Sequence, residues 1–516
     1  MNIDSFLAHH QLKENPFGAE EARHDPVFDR IADAPAKHPD FPKILGRIDR
    51  PGTAVAFGEK GSGKTAIRLL MARHIAEHNR DHADARVLVV PYDDFNPVID
   101  NLLRTGRQNE EKALAKLRLA DHQDAILSLA VTQLNDALLD QAPRNSRDEE
   151  PVHLPAGDGK ERDRFLKKLP GQTRLDWALL TALYDQPRTG NLLSRWQRIR
   201  SKLRLTWRLP LSVARHGATV ATVVAAALGL WLYLASDVPG WLAVAVGLAI
   251  AAAVLLWGYW LWRQANLWWL ARKVRQAMPA IRRSPSELRQ MLADLGPGVV
   301  SRQPLPMPEG GATDARYQLT RRLLDVLGAL DYVGMVVLVD RVDEPTAVSG
   351  NPDRMKALVW PMFDNKFLQQ ERVGVKLLLP VELRHMLHRE SAAFFQEARL
   401  DKQNMVDRLT WSGATLYDLC STRLRACRSA DAEAEGTLAL TDLFDQDVSR
   451  EMLVDALDQM HQPRDAFKFL YSVIQEHCRM VPEEQARYTI PRLTLESVRR
   501  TQSQRVQELY RGLTPA

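Results

Sequence analysis

The sequence contains few cysteines. Its three cysteines, Cys420, Cys427 and Cys478, cannot all pair with one another and do not have metal-ligand spacing. This excludes a disulfide-stabilised secreted domain and a cysteine-based zinc site, and it favours a reducing, cytosolic environment. The N-terminal segment lacks a basic region followed by an apolar one, so we expect no secretory signal peptide.

Several catalytic motifs are also missing. The chain has no G-x-S-x-G segment, no H-E-x-x-H segment and no obvious nuclease cluster, so we expect no additional catalytic site of these kinds. The histidines His9, His10, His385 and His388 have no carboxylate or cysteine at suitable spacing. We therefore interpret them as solvated imidazoles and not as metal ligands.

Charged residues are absent from two long apolar runs, 217–235 and 240–262, which are separated by the short segment 236–239. As helices, runs of about 19 and 23 residues would extend roughly 28 and 34 Å, close to the hydrocarbon thickness of a bilayer, about 30 Å. The alternative is a pair of core helices in a soluble domain, but such helices rarely remain apolar on every face. We therefore predict a two-helix transmembrane hairpin within a basic region, 195–285.

Acidic residues are absent between Asp185 and Asp237, and both flanks of the hairpin are basic. Basic residues stay on the cytoplasmic side of short loops, so we predict a multi-pass protein of the cell (inner) membrane with both termini in the cytoplasm. The flanking cations outnumber the net charge of +5, so anionic lipid headgroups can account for the pI of about 9.0 without nucleic acid. The flanking cations are Arg195, Arg198, Arg200, Lys202, Arg204, Arg208, Arg215, Arg263, Arg272, Lys273, Arg275, Arg282 and Arg283.

Aromatic and small residues fit the same interpretation. Seven of the twelve tryptophans lie between Trp231 and Trp269. Five of them lie near the predicted membrane interfaces, where an amphipathic ring is stable: Trp241, Trp260, Trp262, Trp268 and Trp269. Small residues four positions apart, Ala225 with Gly229 and Gly247 with Ala251, would let the helices pack closely or pair with other copies of the chain.

A glycine-rich segment, "FGEKGSGKTA", follows the apolar run 53–57 and precedes a helix-like segment. It fits the pattern G-x-x-x-x-G-K-[ST], whose glycines permit successive N–H groups to surround a phosphate. Lys64 would place a cation on the β- and γ-phosphates, and the Thr65 hydroxyl could ligate magnesium. The alternative is a flexible glycine loop without nucleotide. The residues expected to contact nucleotide are Gly58, Glu59, Lys60, Gly61, Ser62, Gly63, Lys64, Thr65 and Ala66.

The expected acidic partner of this loop, "MVVLVDRVDE", begins 270 residues after Thr65. Its continuous apolar run is typical of a strand buried in a parallel sheet. Asp340 would then lie at the carboxyl end of the strand, where ligands bind, and could hold magnesium through water. Asp343 and Glu344 are candidates to activate the attacking water, with Glu344 preferred. The alternative is a buried strand followed by a solvated acidic turn.

Further apolar runs predict strands at 85–94, 373–383 and 405–411, with helices between them. We therefore predict an α/β fold: a doubly wound, mainly parallel P-loop NTPase sheet, interrupted by a helical insert and the transmembrane hairpin, and followed by a helical C-terminal lid region. The predicted segments are a lead-in (1–50), the first half of the core (51–100), the insert (101–194), the hairpin region (195–285), a linker (286–314), the second half of the core (315–411) and the lid region (412–516).

These features together resemble the KAP group of the STAND class of P-loop NTPases, whose members carry transmembrane segments between the two Walker motifs. The acidic segment is similar to a NACHT-type motif, from which it departs at Arg341, and it lacks the two adjacent acids more common in KAP proteins. That departure leaves the catalytic acid open between Asp343 and Glu344. "QPRDAF", from Gln462, resembles the start of a lid helix, which implies that Arg464 reaches the γ-phosphate; the alternative is a surface arginine.

The resemblance implies a membrane-anchored, cytoplasm-facing, magnesium-dependent ATPase or ATP-driven switch, with ATP and Mg²⁺ as cofactors and a role in signalling or defence. Turnover is expected to be slow or dependent on a trigger, and the partners are the bilayer and either further copies of the chain or another protein. Arg341, Arg384, Arg408 and Arg423 could each act as a finger toward a neighbouring subunit, and none is assigned that role.

Two other functions remain open. A membrane transport or translocation component would need a ring or a partner, because two helices without buried ionisable residues cannot enclose a polar pathway. A membrane-tethered, DNA-handling ATPase is suggested by the lid motif alone, since the sequence has no recognition helix and no stripe of basic and aromatic residues.

Overall fold

A computed structural model describes most of the chain. The described residues are 1–19, 21–31, 38–106, 109–142, 151–155, 159–187, 190–205, 210–234, 240–296, 300, 302–308, 312–428 and 438–510. Contacts divide the chain into two units, the first comprising 1–82, 91–94 and 336–516 and the second 83–90 and 95–335.

The described secondary structure is mainly helical. The strands are β1 (Ala54–Gly58), β2 (Arg86–Tyr92), β3 (Tyr332–Val339), β4 (Val373–Pro380) and β5 (Asn404–Val406). The helices up to β3 are α1 (Ile3–His9), α2 (Pro26–Ile31), α3 (Phe41–Leu45), α4 (Lys64–Asp81), α5 (Asn96–Gly106), α6 (Glu110–Ala115), α7 (Leu119–Leu138), α8 (Lys160–Lys168), α9 (Gly171–Tyr184), α10 (Leu192–Lys202), α11 (Pro210–Leu234), α12 (Gly240–Ala277), α13 (Pro285–Leu295) and α14 (Ala312–Gly328). The later helices are α15 (Pro352–Val359), α16 (Asn365–Leu368), α17 (Val381–His388), α18 (Ala392–Ala398), α19 (Gly413–Ala426), α20 (Arg450–Asp458), α21 (Pro463–Met480) and α22 (Arg492–Tyr510), with short 3₁₀ helices at Ala22–His24, Trp360–Met362, Leu400–Lys402, Leu440–Leu443 and Glu483–Gln485.

The strands form one five-stranded parallel sheet in the order β2-β3-β4-β1-β5. Every residue of β1 and β4 is buried, in agreement with their continuous apolar sequences. The prediction of an α/β fold with a parallel sheet is therefore confirmed. The last strand is shorter than the predicted 405–411, and the predicted strand 373–383 ends at Pro380, where α17 begins.

The first unit has a helical core outside the sheet, in which the start and the end of the chain pack together. Phe6 and Phe17 belong to the same buried cluster as Leu416 of α19 and Phe469 of α21. Arg423 adds buried polar contacts to this packing, because its Nε donates to the Pro16 carbonyl oxygen at 2.7 Å. Residues up to Ile31 of the segment predicted as a lead-in, 1–50, thus contribute to the core formed by the C-terminal helices.

The second unit has a buried polar network among its helices. Arg316 of α14 and Asp124 of α7 are both fully buried, and their side chains are joined by bonds of 2.6 and 2.8 Å. Arg316 also donates to the Ala277 carbonyl oxygen at 2.7 Å, and the Tyr184 hydroxyl donates to Asp124 at 3.0 Å. Since both side chains of this ion pair are fully buried, loss of either charge would leave the other buried without its counter-charge.

Helices α11 and α12 contain the two predicted membrane spans. They are in contact where Trp257 Nε1 donates to Thr222 Oγ1 at 3.1 Å. Large apolar side chains on both helices are exposed, including Val223 at 67% and Leu255 at 72%, so these are not core helices of a soluble unit.

Among the described residues, one helix is long and apolar enough to cross a membrane, over Val244–Ala277, and its most apolar 18 residues have a mean hydropathy of 2.1. The prediction of a two-span hairpin is therefore not confirmed. The second helix also extends 15 residues beyond the predicted end at residue 262, because no glycine or proline occurs between there and Pro279. The predicted turn, 236–239, and Arg208 of the basic flank lie outside the described residues.

The predicted linker, 286–314, is partly helical. Its first residues belong to α13, which begins with a capping box in which Ser284 and Glu287 bond to each other's backbone N–H groups. Leu288 and Leu292 of this helix are buried. The proline and glycine content that indicated a linker is concentrated after residue 295, so the helix preceding it was not recognised.

Candidate functional site

The glycine-rich loop joins β1 to α4, as the sequence predicts. Strand β1 is buried at every residue and ends at Gly58, and α4 begins at Lys64. Gly63 precedes the helix with φ of 91°, a left-handed conformation that glycine adopts without strain. The loop therefore lies at the carboxyl end of a parallel strand, with the positive end of a helix behind it.

Lys64 folds over its own loop. Its Nζ donates to the carbonyl oxygens of Gly58 and Glu59, both at 2.9 Å. Burial lowers the pKa of the Lys64 ammonium, and the nearby Asp340 and Asp343 carboxylates oppose that shift. The ammonium is consequently held within the loop, close to the two acids.

Asp340 directly follows β3 and contacts the loop. The Thr65 hydroxyl donates to Asp340 Oδ2 at 2.9 Å, although the two residues are 275 positions apart. Asp340 is only 1% exposed, and burial raises its pKa, while Arg68 and the hydrogen bond from Thr65 oppose the shift. The hydroxyl and the carboxylate predicted to hold magnesium are thus adjacent.

Arg68 is a site residue that the sequence analysis missed. It is fully buried on α4, with its Nε 3.5 Å from Asp340 Oδ2 and its Nη2 3.4 Å from Asp93 Oδ2. Asp93 follows β2, so Arg68 links the acids at the ends of two strands. Its spacing of four residues from Lys64 places it on the same helical face, and this spacing could have suggested its position.

The two candidate acids after Asp340 have different surroundings. Glu344 is half exposed, and its Oε2 lies 2.5 Å from Arg341 Nη2. Arg341 has φ of 60°, which is uncommon for a residue other than glycine. The Asp343 carbonyl oxygen accepts from the Gly350 N–H at 2.9 Å, and its side chain is partly buried. Both acids line the cavity described next, so the choice between them stays open.

A cavity extends from the glycine-rich loop. It brings together most of the predicted site residues, whereas Gly58, Glu59 and Ser62 do not line it. The predicted residues that line it are Lys60, Gly61, Gly63, Lys64, Thr65, Ala66, Asp340, Asp343, Glu344 and Arg464. Its other walls come from the N-terminal segment and the C-terminal helices, including Phe28, Ile31, Leu419 and Phe467. Apart from Arg464, no residue of these two regions is a site residue predicted from the sequence.

The start of α21 lies directly against the loop. The Arg464 N–H donates to the Gly61 carbonyl oxygen at 3.4 Å, and Arg464 Nε is buried without a hydrogen-bond partner among the described residues. Glu59 of the loop accepts from Gln462 at the N-terminus of α21 and from Arg408. The predicted lid helix therefore contacts the loop through both backbone and side chains.

The four arginines considered as fingers all form ion pairs within the chain. Arg341 pairs with Glu344, and Arg408 pairs with Glu59. Arg384 Nη2 lies 3.8 Å from Asp407, and Arg423 pairs with Asp25 while being 2% exposed. Arg423 is buried and lines the cavity, so its surroundings do not fit a finger directed at a neighbouring subunit.

The donor set suits magnesium only together with a nucleotide. Within the described ranges, no group of three or more His, Cys, Asp or Glu residues could hold a metal ion. Thr65 and Asp340 place two hard oxygen atoms side by side, and Mg²⁺ usually takes one or two protein oxygens with phosphate oxygens and waters. The residues present therefore fit a nucleotide-bound magnesium ion better than a free one.

The comparisons with known proteins add no family. No protein-family model matches the sequence, and a search of curated proteins finds no match.

Arg68→Met is expected to destabilise the protein by about 3–5 kcal/mol at pH 7, because Asp340 and Asp93 would lose their buried cation. Burial already holds the pKa of Asp340 above its usual 3.8, and removing Arg68 would raise it further. When a carboxyl has a higher pKa in the folded state than in the unfolded state, the unfolding free energy decreases as pH rises between the two pKa values. The unfolding free energy lost in Arg68→Met should therefore be small near pH 4 and grow toward pH 7. Denaturant unfolding at both pH values measures it.

Arg73→Met on the same helix is the control, since Arg73 forms an exposed pair with Asp29 and should change stability by about 0–1 kcal/mol. An equal loss for Arg68→Met at both pH values would show that Arg68 acts through its shape and not through its charge.

Gly61→Ala is expected to separate the loop from α21. Gly61 has φ of 98°, and a Cβ there would lie 2.9 Å from Arg464 Cβ and 2.9 Å from Gln462 Oε1. We expect a loss of about 1–3 kcal/mol in unfolding free energy and faster proteolysis between α20 and α21. Gly52→Ala is the matched control, because a Cβ at Gly52 has no neighbour within 4 Å. Unchanged proteolysis of Gly61→Ala would contradict the contact.

Proposed function

We propose that this protein is a magnesium-dependent P-loop nucleoside triphosphatase or ATP-driven switch anchored to a membrane. The observation that carries the proposal is the 2.9 Å hydrogen bond between Thr65 of the loop and Asp340 at the end of the acidic strand. A glycine-rich loop alone could serve another purpose. Here the hydroxyl of the loop contacts a buried acid from a strand distant in sequence, at the carboxyl ends of parallel strands. Sites for nucleotide-bound magnesium use this arrangement.

Each residue of the site has a role in this proposal. Backbone N–H groups of residues 58–66 and the ammonium of Lys64 would hold the phosphates. Bound magnesium would neutralise charge on the β- and γ-phosphates, and Thr65 and Asp340 would position it. Arg464, at the start of the lid helix, would add a cation at the γ-phosphate. Asp343 or Glu344 would orient or deprotonate the attacking water.

The ion pair between Arg341 and Glu344 supports slow or triggered turnover. The Oε2 oxygen of Glu344 lies 2.5 Å from Arg341 Nη2, so the guanidinium occupies the oxygen that would otherwise accept a proton from water. If Glu344 activates water, Arg341 must first release it. A trigger that moves Arg341 would then switch hydrolysis on, which agrees with a switch of the STAND class and KAP group.

The membrane anchor is proposed from the apolar exposed surface of α11 and α12. Valine and leucine side chains such as Val223 and Leu255 are more than half exposed, and a bilayer would cover them. Near the end of α12, Lys273 lies 3.9 Å from the Trp269 ring centroid and Arg272 lies 5.4 Å from that of Trp268. Paired cations and aromatic rings are typical of the headgroup region, which supports a cytoplasmic location for this end.

Hydrolysis is tested with protein purified in detergent, measuring ATP binding and phosphate release with and without Mg²⁺. Lys64→Ala should abolish both, whereas Asp343→Asn and Glu344→Gln should keep binding, and the variant of the activating acid should lose about 100-fold or more in turnover. Arg341→Ala should raise turnover if Glu344 is that acid. Lys43→Ala, on α3 and outside the cavity lining, is the control. ATP binding by Lys64→Ala equal to wild type would refute the nucleotide site.

Membrane topology is tested by labelling introduced cysteines in intact cells with an impermeant reagent. Gly240→Cys, at the start of α12, should react from outside, and Arg282→Cys should react only after permeabilisation. The native cysteines, Cys420, Cys427 and Cys478, are buried and should give little background. Labelling of both positions only after permeabilisation would show that α11 and α12 do not form a hairpin across the membrane.

A further inference from the structure

The cavity has an apolar end formed by regions distant in sequence from the glycine-rich loop. Phe28 and Ile31 of α2 are 6% and 9% exposed, and Leu419 of α19 is 9% exposed. Phe467 of α21 completes this wall. Such a surface can take the flat face of an aromatic ring, whereas triphosphate oxygens would be poorly solvated there.

One cation is built into this apolar wall. Arg423 of α19 lines the cavity and is 2% exposed. Its Nε donates to the Pro16 carbonyl oxygen at 2.7 Å, and its Nη1 donates to Asp25 Oδ2 at 2.5 Å. Its guanidinium lies 4.5 Å from the ring centroid of Phe467. The N-terminal segment and α21 thus fix the orientation of this side chain at the cavity wall.

The third guanidinium nitrogen of Arg423, Nη2, is not paired in the same way. Nη2 is buried, and it has no hydrogen-bond acceptor among the residues that the structure describes. A buried donor without an acceptor costs free energy, and Arg423 lines the cavity, so an acceptor that entered the cavity beside this side chain would offset that cost if it paired with Nη2. The ion pair with Asp25 neutralises the charge of Arg423, so the side chain offers a directional donor more than a net charge. That favours a neutral acceptor over a phosphate.

We propose that Arg423 is a specificity-determining residue whose Nη2 donates to a ring nitrogen or carbonyl oxygen at the edge of a nucleobase. This inference rests on the proposed nucleotide site and adds the position of the base within it. The base lies among Phe28, Leu419 and Phe467, and the triphosphate extends toward Lys64 and Thr65. Arg423 supports binding of the nucleoside part and makes no contact with the phosphates.

The test compares ATP with inorganic tripolyphosphate, which has the phosphates and lacks the base. Dissociation constants are measured by calorimetry, in the presence of Mg²⁺, for wild type, Arg423→Met and Arg423→Lys. Loss of one hydrogen bond from a donor whose charge is balanced by Asp25 should weaken ATP binding by about 2-fold to 10-fold in Arg423→Met. Tripolyphosphate binding should remain unchanged in the same preparations, which also shows that the phosphate site is folded. If Arg423→Met unfolds, Arg423→Lys replaces it in the test, because lysine keeps a cation beside Asp25. Arg423→Lys should also bind ATP more weakly and tripolyphosphate as well as wild type does.

Analogues of ATP in which one ring nitrogen is replaced by CH identify the acceptor. If a ring nitrogen accepts from Nη2, one analogue should bind wild type more weakly than ATP and should bind Arg423→Met as well as ATP does. If every analogue binds wild type as ATP does, the ring nitrogens are excluded and the proposal fails for ATP. Arg425→Met is the matched control, because Arg425 bonds to Ser421 and Thr422 of its own helix and lies outside the cavity lining.

Two results separate this inference from the proposed function. Equal weakening of ATP and tripolyphosphate in both Arg423 variants, or no weakening of either, would overturn the base contact while leaving the nucleotide site standing. Failure of wild type to bind either ligand would overturn both proposals.

Discussion

The site depends on compensating one buried carboxylate. Asp340 lies at the end of β3 with 1% of its surface exposed, and burial alone would favour its protonated form. The partners that oppose this, the Thr65 hydroxyl and the Arg68 guanidinium, both come from the first two turns of α4. The start of α4 must therefore pack against the end of β3. The same packing places the glycine-rich loop beside the acid, so the stability of the fold and the geometry of the site have a common origin.

The strand order determines how much space lies between the loop and the acid. Strand β4 separates β1 from β3, so the two strands that carry the loop and the acidic segment are not neighbours. Two strand spacings amount to about 9.5 Å in a sheet. The Thr65 and Arg68 side chains extend from α4 to reach Asp340. A phosphate group bound at the ends of the strands would therefore lie between the loop and the acid, within reach of both.

Sequence reasoning recognised the residues whose chemistry depends on local spacing. The strand, the glycine-rich loop and the helix starting at Lys64 form a contiguous segment, and Asp340 ends an uninterrupted apolar run; both patterns follow from local backbone requirements. Arg68, Asp93 and Arg423 could not be assigned in this way. Their roles depend on burial and on pairing between residues up to 398 positions apart, as between Arg423 and Asp25. The sequence alone does not distinguish a buried arginine from a surface arginine.

The ends of the helices were also difficult to predict from the sequence. The apolar run predicted the part of α12 that ends near residue 262, because hydrophobicity was the criterion. The helix continues to Ala277, since helix formation requires only the absence of a breaker and not an apolar sequence. In the same way, α13 occupies part of a segment predicted as a linker from the composition that follows it. Composition thus located the apolar segment that is long enough to cross a membrane, while the backbone determined where its helix ends.

The contacts of Glu59 connect the loop to the lid helix. A carboxylate in a phosphate-binding loop would repel a bound triphosphate unless cations or donors lie beside it. Arg408, after β5, and Gln462, at the start of α21, both donate to this carboxylate. The Gln462 donor belongs to the same helix start as Arg464, whose N–H bonds to Gly61. Movement of α21 would thus change the charge balance of the loop and the position of the Arg464 cation together. Coupling of this kind needs no long pathway, because the glycine-rich loop and the start of α21 share one cluster of hydrogen bonds.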